Sequence, residues 1–150
     1  MTPKQVQIVQ GTFQKVAPIA EVAAELFYAR LFELDPQLRL LFKSDMRRQG
    51  AMLMNMLSSA VRSLENPEPL VPVLKNLGRR HVVYGVADHH YDTVGKALLD
   101  TLAHALGNEF DEETRAAWTA AYVLLSSVMK LGAREVAPAN EDGKLKKMVA

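Results

Sequence analysis

The chain has 150 residues, 49% of them hydrophobic and 23% charged, which is a globular balance rather than that of a disordered chain. At that length one core suffices without covalent staples, and a formal net charge of only +1 removes any global electrostatic case for nucleic acid as a partner. The absence of cysteine excludes disulfides, thiolate metal sites and cysteine nucleophiles.

Apolar residues recur three and four apart along nearly the whole chain, and the alternation that strands need is hard to find, so the expected fold class is all-α. The start, MTPKQVQIVQGTF, lacks the regions of a secretory signal, and no run approaches 18 uninterrupted apolar residues. The expected location is therefore cytoplasmic, with no membrane partner. Thr2-Pro3-Lys4-Gln5 reads as a helix start, with Thr2 as cap, Pro3 in the first turn and Gln5 completing a capping box. This first helix turns Val6, Val9 and Phe13 inward and yields near Pro18. A second helix carries Val22, Leu26, Ala29 and Phe32 on one stripe with Ala23, Phe27 and Leu31 beside it, and ends at Asp35-Pro36.

Leu38, Leu41 and Phe42 form a short apolar turn before a polar loop over Lys43–Arg48. Leu53, Met56, Leu57, Ala60, Val61 and Leu64 mark a further helix, closed by Asn66-Pro67-Glu68-Pro69, and a short one follows from Val71 to about His81. After a polar corner over Gly85–Tyr91, Val94, Leu98, Leu102 and Ala105 share a helix face that stops near Gly107. Asp111 caps the last helix, whose core stripe is Trp118, Ala121, Tyr122, Leu125 and Met129. One domain is expected over residues 1–134, with a mobile tail over 135–150 in which Lys144, Lys146 and Lys147 have no assigned role.

No glycine-rich phosphate loop, GxSxG elbow, HExxH motif or isolated carboxylate pair is present, which leaves histidine as the residue for chemistry. His89, His90 and His104 read as solvated, whereas His81 ends an apolar-striped helix. By itself His81 reads better as a satisfied structural histidine than as a ligand.

Its neighbours favour a ligand. LGRRHVVYGVADHHYDTVGKALL, from Leu77 to Leu99, resembles the proximal region of globins of the single-domain bacterial haemoglobin, flavohaemoglobin and neuroglobin branch. FYARLFELDPQLRLLF, from Phe27 to Phe42, resembles their second helix and corner, and RAAWTAAY, from Arg115 to Tyr122, the start of their last helix. The resemblance implies a globin fold around haem b, iron protoporphyrin IX, with His81 as the iron's proximal ligand and Phe42 packed flat on the porphyrin. Counting back sixteen positions from Glu65 puts Gln49 over the iron, with Leu53 one turn later. Tyr28 falls at the distal tyrosine, a donor to bound dioxygen. An amide is a poor iron ligand, so Gln49 implies an open, five-coordinate reduced site.

On the proximal side the resemblance implies that Tyr91 stands near His81, while Ala133 replaces the carboxylate those relatives place there, which argues against peroxidase-like chemistry. Leu77, Val86, Val94, Leu98, Tyr122 and Met129 are implied as lining, and Arg80 as the partner of a haem propionate. The implied function is reversible binding of dioxygen, with nitric oxide and carbon monoxide as further ligands, and oxidation of nitric oxide to nitrate when a separate reductase supplies electrons. A haem-based gas or redox sensor acting through a protein partner is the alternative.

Overall fold

The computed structural model describes residues 1–43 and 45–141, and among these residues there are six α-helices and no strand. They are α1 (Pro3–Val16), α2 (Ala20–Leu34), α3 (Met46–Arg62), α4 (Val71–Val83), α5 (His90–Leu106) and α6 (Glu112–Glu141), with 3-10 turns at Ala17–Ile19, Pro36–Leu41, Glu68–Leu70 and Gly107–Glu109. The capping box forms as read: Thr2 Oγ1 accepts from the Gln5 N–H at 3.1 Å and Gln5 Oε1 from the Thr2 N–H at 3.0 Å. Asp111 Oδ1 accepts from the Thr114 N–H at 2.9 Å and so starts α6.

Two core clusters organise the molecule. The first joins Val6, Val9, Phe13 and Val16 of α1 to Leu102 and Leu106 of α5 and to Ala117, Trp118 and Ala121 of α6. Burial of a leucine or valine such as Leu102 or Val9 contributes about 1.5–3 kcal/mol. Trp118 is almost wholly enclosed, and its one polar atom is satisfied because Nε1–H donates to Thr12 Oγ1 at 2.9 Å. The second cluster gathers Phe27, Tyr28, Leu31, Leu38 and Ala97, with Phe32, Phe42, Leu53, Val94 and Leu98 packed against them.

Several boundaries and faces differ from the sequence reading. On α2 the buried stripe is Ala23, Ala24, Phe27, Tyr28 and Leu31, and Val22 is half exposed. Apolar residues lie all round α2, between charges at Glu21, Glu25, Arg30 and Glu33 that share no single face, so a neighbouring stripe reads equally well. The third helix begins at Met46, inside the expected loop, because Asp45 Oδ1 accepts from the Arg47 N–H at 3.1 Å and caps a first turn that is polar. Helical backbone in α6 runs to Glu141, past the expected end near Glu135, and the rest of the expected tail, 142–150, lies outside the described residues.

The pairing of α4 with α6 has a specific cause. A Cβ on Gly78 would lie 1.9 Å from the Met129 carbonyl oxygen, and one on Gly132 would lie 2.1 Å from that of Lys75, so the two backbones touch where only glycine fits. Beside this seam Glu135 pairs with Lys75 at 3.1 Å and also with Arg79. By length and composition α6 is apolar enough over Glu112–Val136 to cross a membrane, yet its inner face is the one that supplies Trp118 and its neighbours to the first core.

Candidate functional site

The second cluster brings together Tyr28, Phe42, Leu53, Val94 and Leu98, which lie far apart in sequence. What lets them meet is the crossing of α2 and α3: Gly50 is buried, and a Cβ there would come within 2.9 Å of Ala24 Cβ. The close approach carries Gln49, the preceding residue, to Tyr28, one turn along α2 from Ala24. Tyr28 Oη donates to the Gln49 carbonyl oxygen at 3.4 Å, a long bond. The Tyr28 ring meets Phe42 edge-on at 5.4 Å and Phe27 at 5.0 Å, and stacks on Phe32 at 6.0 Å. Burial pushes the Tyr28 hydroxyl up to about 12, so it remains a protonated donor.

His81 stands near the end of α4, and the chain reverses immediately after it. Gly85 has φ of +92° and supplies the turn, and the Val86 N–H donates to the His81 carbonyl at 2.8 Å. Nδ1 of His81 lies 3.4 Å from Tyr91 Oη, whereas Nε2 has no hydrogen-bond partner among the described residues. Burial, with the charge of Arg80 beside it, pushes the imidazole down to about 4, so the ring is neutral at physiological pH.

Tyr91 is buried and held in turn by Tyr122, whose hydroxyl donates to the Tyr91 carbonyl at 2.5 Å. The Tyr122 ring lies on Gly95, where a Cβ would come within 2.7 Å of it. Tyr122 thus braces α5 and Tyr91 from behind. Arg80 is exposed, and Leu77, Val86, Val94 and Leu98 are half-buried. Met129 packs with Leu70 and Leu74 in a third cluster beneath α4, so its side chain belongs to the helix seam.

The sequence reading missed three features. His90, expected to be solvated, has a side chain only 15% exposed, and its Nδ1 accepts from the Ala87 N–H at 2.8 Å. With Asp35 and His89 it forms a cluster whose ligand atoms lie within 4.8 Å of one another. In neutral His90 the bond to Ala87 places the ring proton on Nε2, so neither nitrogen offers a lone pair and the cluster is not a metal centre. Lys130 lies over the Tyr91 ring, 5.5 Å from its centroid, and nothing in the sequence distinguishes it from any solvated lysine. Gly50 lies inside α3, ahead of the apolar pattern that begins at Leu53, so its close contact with Ala24 had no sign in the sequence.

Fold and site together define an all-helical arrangement in which a neutral, half-buried histidine has a nitrogen without a hydrogen-bond partner among the described residues and a buried tyrosine is joined to the start of α3. The globin family model matches residues 25–129. The flavohemoprotein of Chromobacterium violaceum is 36% identical over 107 residues, which cover 69% of this chain and 26% of that protein. That of Rhizobium meliloti is 30% identical over 132 residues, 86% of this chain and 33% of that protein. The chain thus spans about a third or less of the length of these two curated relatives.

Among solved structures, an engineered carbene transferase made from a predicted nitric oxide dioxygenase of Rhodothermus marinus has a TM-score of 0.85 and 25% identity, covering 94% of this chain and 99% of that one. A bacterial globin from Campylobacter jejuni has a TM-score of 0.81 and 25% identity, covering 91% and 99%. The chain belongs to the globin family and has the globin fold.

The residues present fit the haem that this family implies. Neutral His81 leaves Nε2 unengaged, and Phe42, Leu53, Leu77, Val86, Val94 and Leu98 stay half-buried where a core would enclose them, as side chains that wall an apolar macrocycle do.

Proposed function

We propose that this globin holds haem b through His81, binds dioxygen reversibly, and oxidises nitric oxide to nitrate when a separate reductase supplies electrons. The observation that carries the reading is the meeting of Tyr28, a buried donor, with the Gln49 backbone carbonyl and the Phe42 ring among apolar side chains. When bound, the haem supplies an iron centre that takes diatomic ligands and exchanges single electrons.

Every other part belongs to the chain. His81 anchors through Nε2, and its Nδ1–H then donates to Tyr91 Oη, which fixes the tautomer and the ring plane. Tyr28 keeps its proton and presents it to a ligand that carries partial negative charge, while the start of α3 at Gln49 stands beside it. Phe42 and Leu53 exclude water and narrow the space for a second gas, and Leu77, Val86, Val94 and Leu98 complete the lining. Arg80, exposed and next to His81 in sequence, would pair with a propionate. With an amide rather than an imidazole at Gln49, the chain would offer the haem iron no competing ligand there, which would leave the iron open to dioxygen, nitric oxide or carbon monoxide. The proposed location is the cytoplasm.

Nitric oxide, dioxygen and one electron together make nitrate, and the electron must be returned after each turnover. The test mixes the reduced, haem-loaded, air-equilibrated protein with nitric oxide in a stopped-flow instrument. Rapid oxidation with one nitrate formed per haem is the expected result. Slow oxidation without nitrate would leave the protein a gas binder and overturn the dioxygenase reading.

A further inference from the structure

The proximal histidine's neighbour, Tyr91, has a cation on its ring. Lys130 of α6 places Nζ 5.5 Å from the Tyr91 centroid, and its side chain is only 24% exposed, so this is a lysine laid against the protein. Its other neighbour is Asp88, 4.0 Å away and 74% exposed, whose carboxylate also acts on the Tyr91 hydroxyl and opposes the cation there, though water weakens it. Tyr91 itself is 5% exposed, so burial holds its ring between His81 and Lys130, and Tyr122 anchors its backbone through the carbonyl. Glu135, the acidic residue of α6 closest in sequence to Ala133, is engaged by Lys75 and Arg79. The charged side chain that reaches Tyr91 from α6 is therefore positive.

From this arrangement we infer that Lys130 is a positioning residue that sets the electron-donating power of His81 through the Tyr91 hydroxyl. The inference rests on the reading of His81 as the iron ligand. With Nε2 given to a metal, Nδ1 carries a proton and Tyr91 Oη is its acceptor, at the long distance of 3.4 Å. An imidazole gains anionic character in proportion to how strongly its N–H is accepted. A neutral phenol is a weak acceptor, and a cation over its ring draws electron density from the oxygen and weakens it further. The imidazole therefore stays neutral and donates little, which favours the reduced metal.

The test measures midpoint potential and the iron–histidine vibration on the reduced, haem-loaded full chain. In Lys130→Met, which keeps the packing of the stem, the ratio of reduced to oxidised protein at a fixed potential falls by about two- to fivefold, the reach of a partly exposed cation on a ring. The vibration rises in frequency at the same time. Lys130→Arg, which retains charge and stacking, restores both.

The same pair of measurements in a Tyr91→Phe background separates the routes, since phenylalanine keeps the ring under the cation and removes the oxygen. A smaller effect of Lys130→Met in that background supports the inference. An equal effect in both backgrounds means that the charge acts on the metal directly, and overturns it, as does an unchanged potential in Lys130→Met. Absence of an iron–histidine vibration from the parent protein would overturn the ligand reading and the inference with it, whereas its presence with an unmoved potential overturns the inference alone.

Discussion

Replacing Tyr28 by phenylalanine removes one oxygen and leaves the rest of the distal cluster in place. The ring's neighbours, Phe27 at 5.0 Å, Phe42 at 5.4 Å and Phe32 at 6.0 Å, are met by carbon atoms that phenylalanine also has. A hydrogen bond to a charged acceptor is worth about 1.5–3 kcal/mol, and bound dioxygen carries partial negative charge. Against that stands the bond the hydroxyl gives up to the Gln49 carbonyl, which at 3.4 Å is worth about 0.5 kcal/mol at most. The difference, about 1–2.5 kcal/mol, corresponds to a dioxygen dissociation rate about five- to seventyfold faster in Tyr28→Phe. Stopped-flow replacement of dioxygen by carbon monoxide on the reduced protein reads that rate directly. An unchanged rate would show that the hydroxyl stays on the Gln49 carbonyl in the liganded state, and the distal assignment would fall.

Other expectations concern the haem spectrum and the frame that carries the site. The reduced, unliganded protein should show one broad visible band, as an open five-coordinate iron does, and two sharp low-spin bands would mean that a sixth protein ligand closes the site. Gly78→Ala drives a methyl into the Met129 carbonyl and should cost about 1–3 kcal/mol or more in chemical denaturation. Gly11→Ala, at an exposed helical position with nothing within 4 Å, should gain about 0.5–1 kcal/mol, and a loss there would contradict the open surroundings. Burial raises the Asp100 carboxyl, but Arg30, at 2.8 Å, and Lys96 together hold it below its ordinary value. A carboxyl lowered in this way stabilises the fold above its unfolded pKa, and the contribution disappears as pH falls through the folded one. Asp100→Asn should therefore destabilise at neutral pH and converge with the parent in acid, and a gap that persists in acid would mean that packing is responsible.

The parts of the fold that were readable in sequence are those fixed by local chemistry. Thr2-Pro3 and Asp111 announce helix starts because their side chains cap their own next turn, and Asp35-Pro36 stops α2 because proline cannot continue it. The inner face of α2 was not readable, since its apolar residues surround the helix and only α3 and α5 decide which are covered. The same division runs through the site. His81, Tyr28 and Phe42 were nominated through the order of their motifs, whereas the bond from Tyr28 to the Gln49 backbone depends on how deeply α3 crosses α2 at Gly50. The cation on Tyr91 depends on two helices far apart in the chain, and the role of His90 on a turn whose N–H happens to need an acceptor.

The glycine seam between α4 and α6 has a mechanical consequence. Backbone pressed on backbone at Gly78 and Gly132, reinforced by Glu135 on Lys75 and Arg79, gives α4 no compressible layer to slide on. A helix mounted so stiffly gives His81 a fixed seat, whereas the Tyr28 hydroxyl, across the fold, has only a 3.4 Å bond to the Gln49 carbonyl to give up.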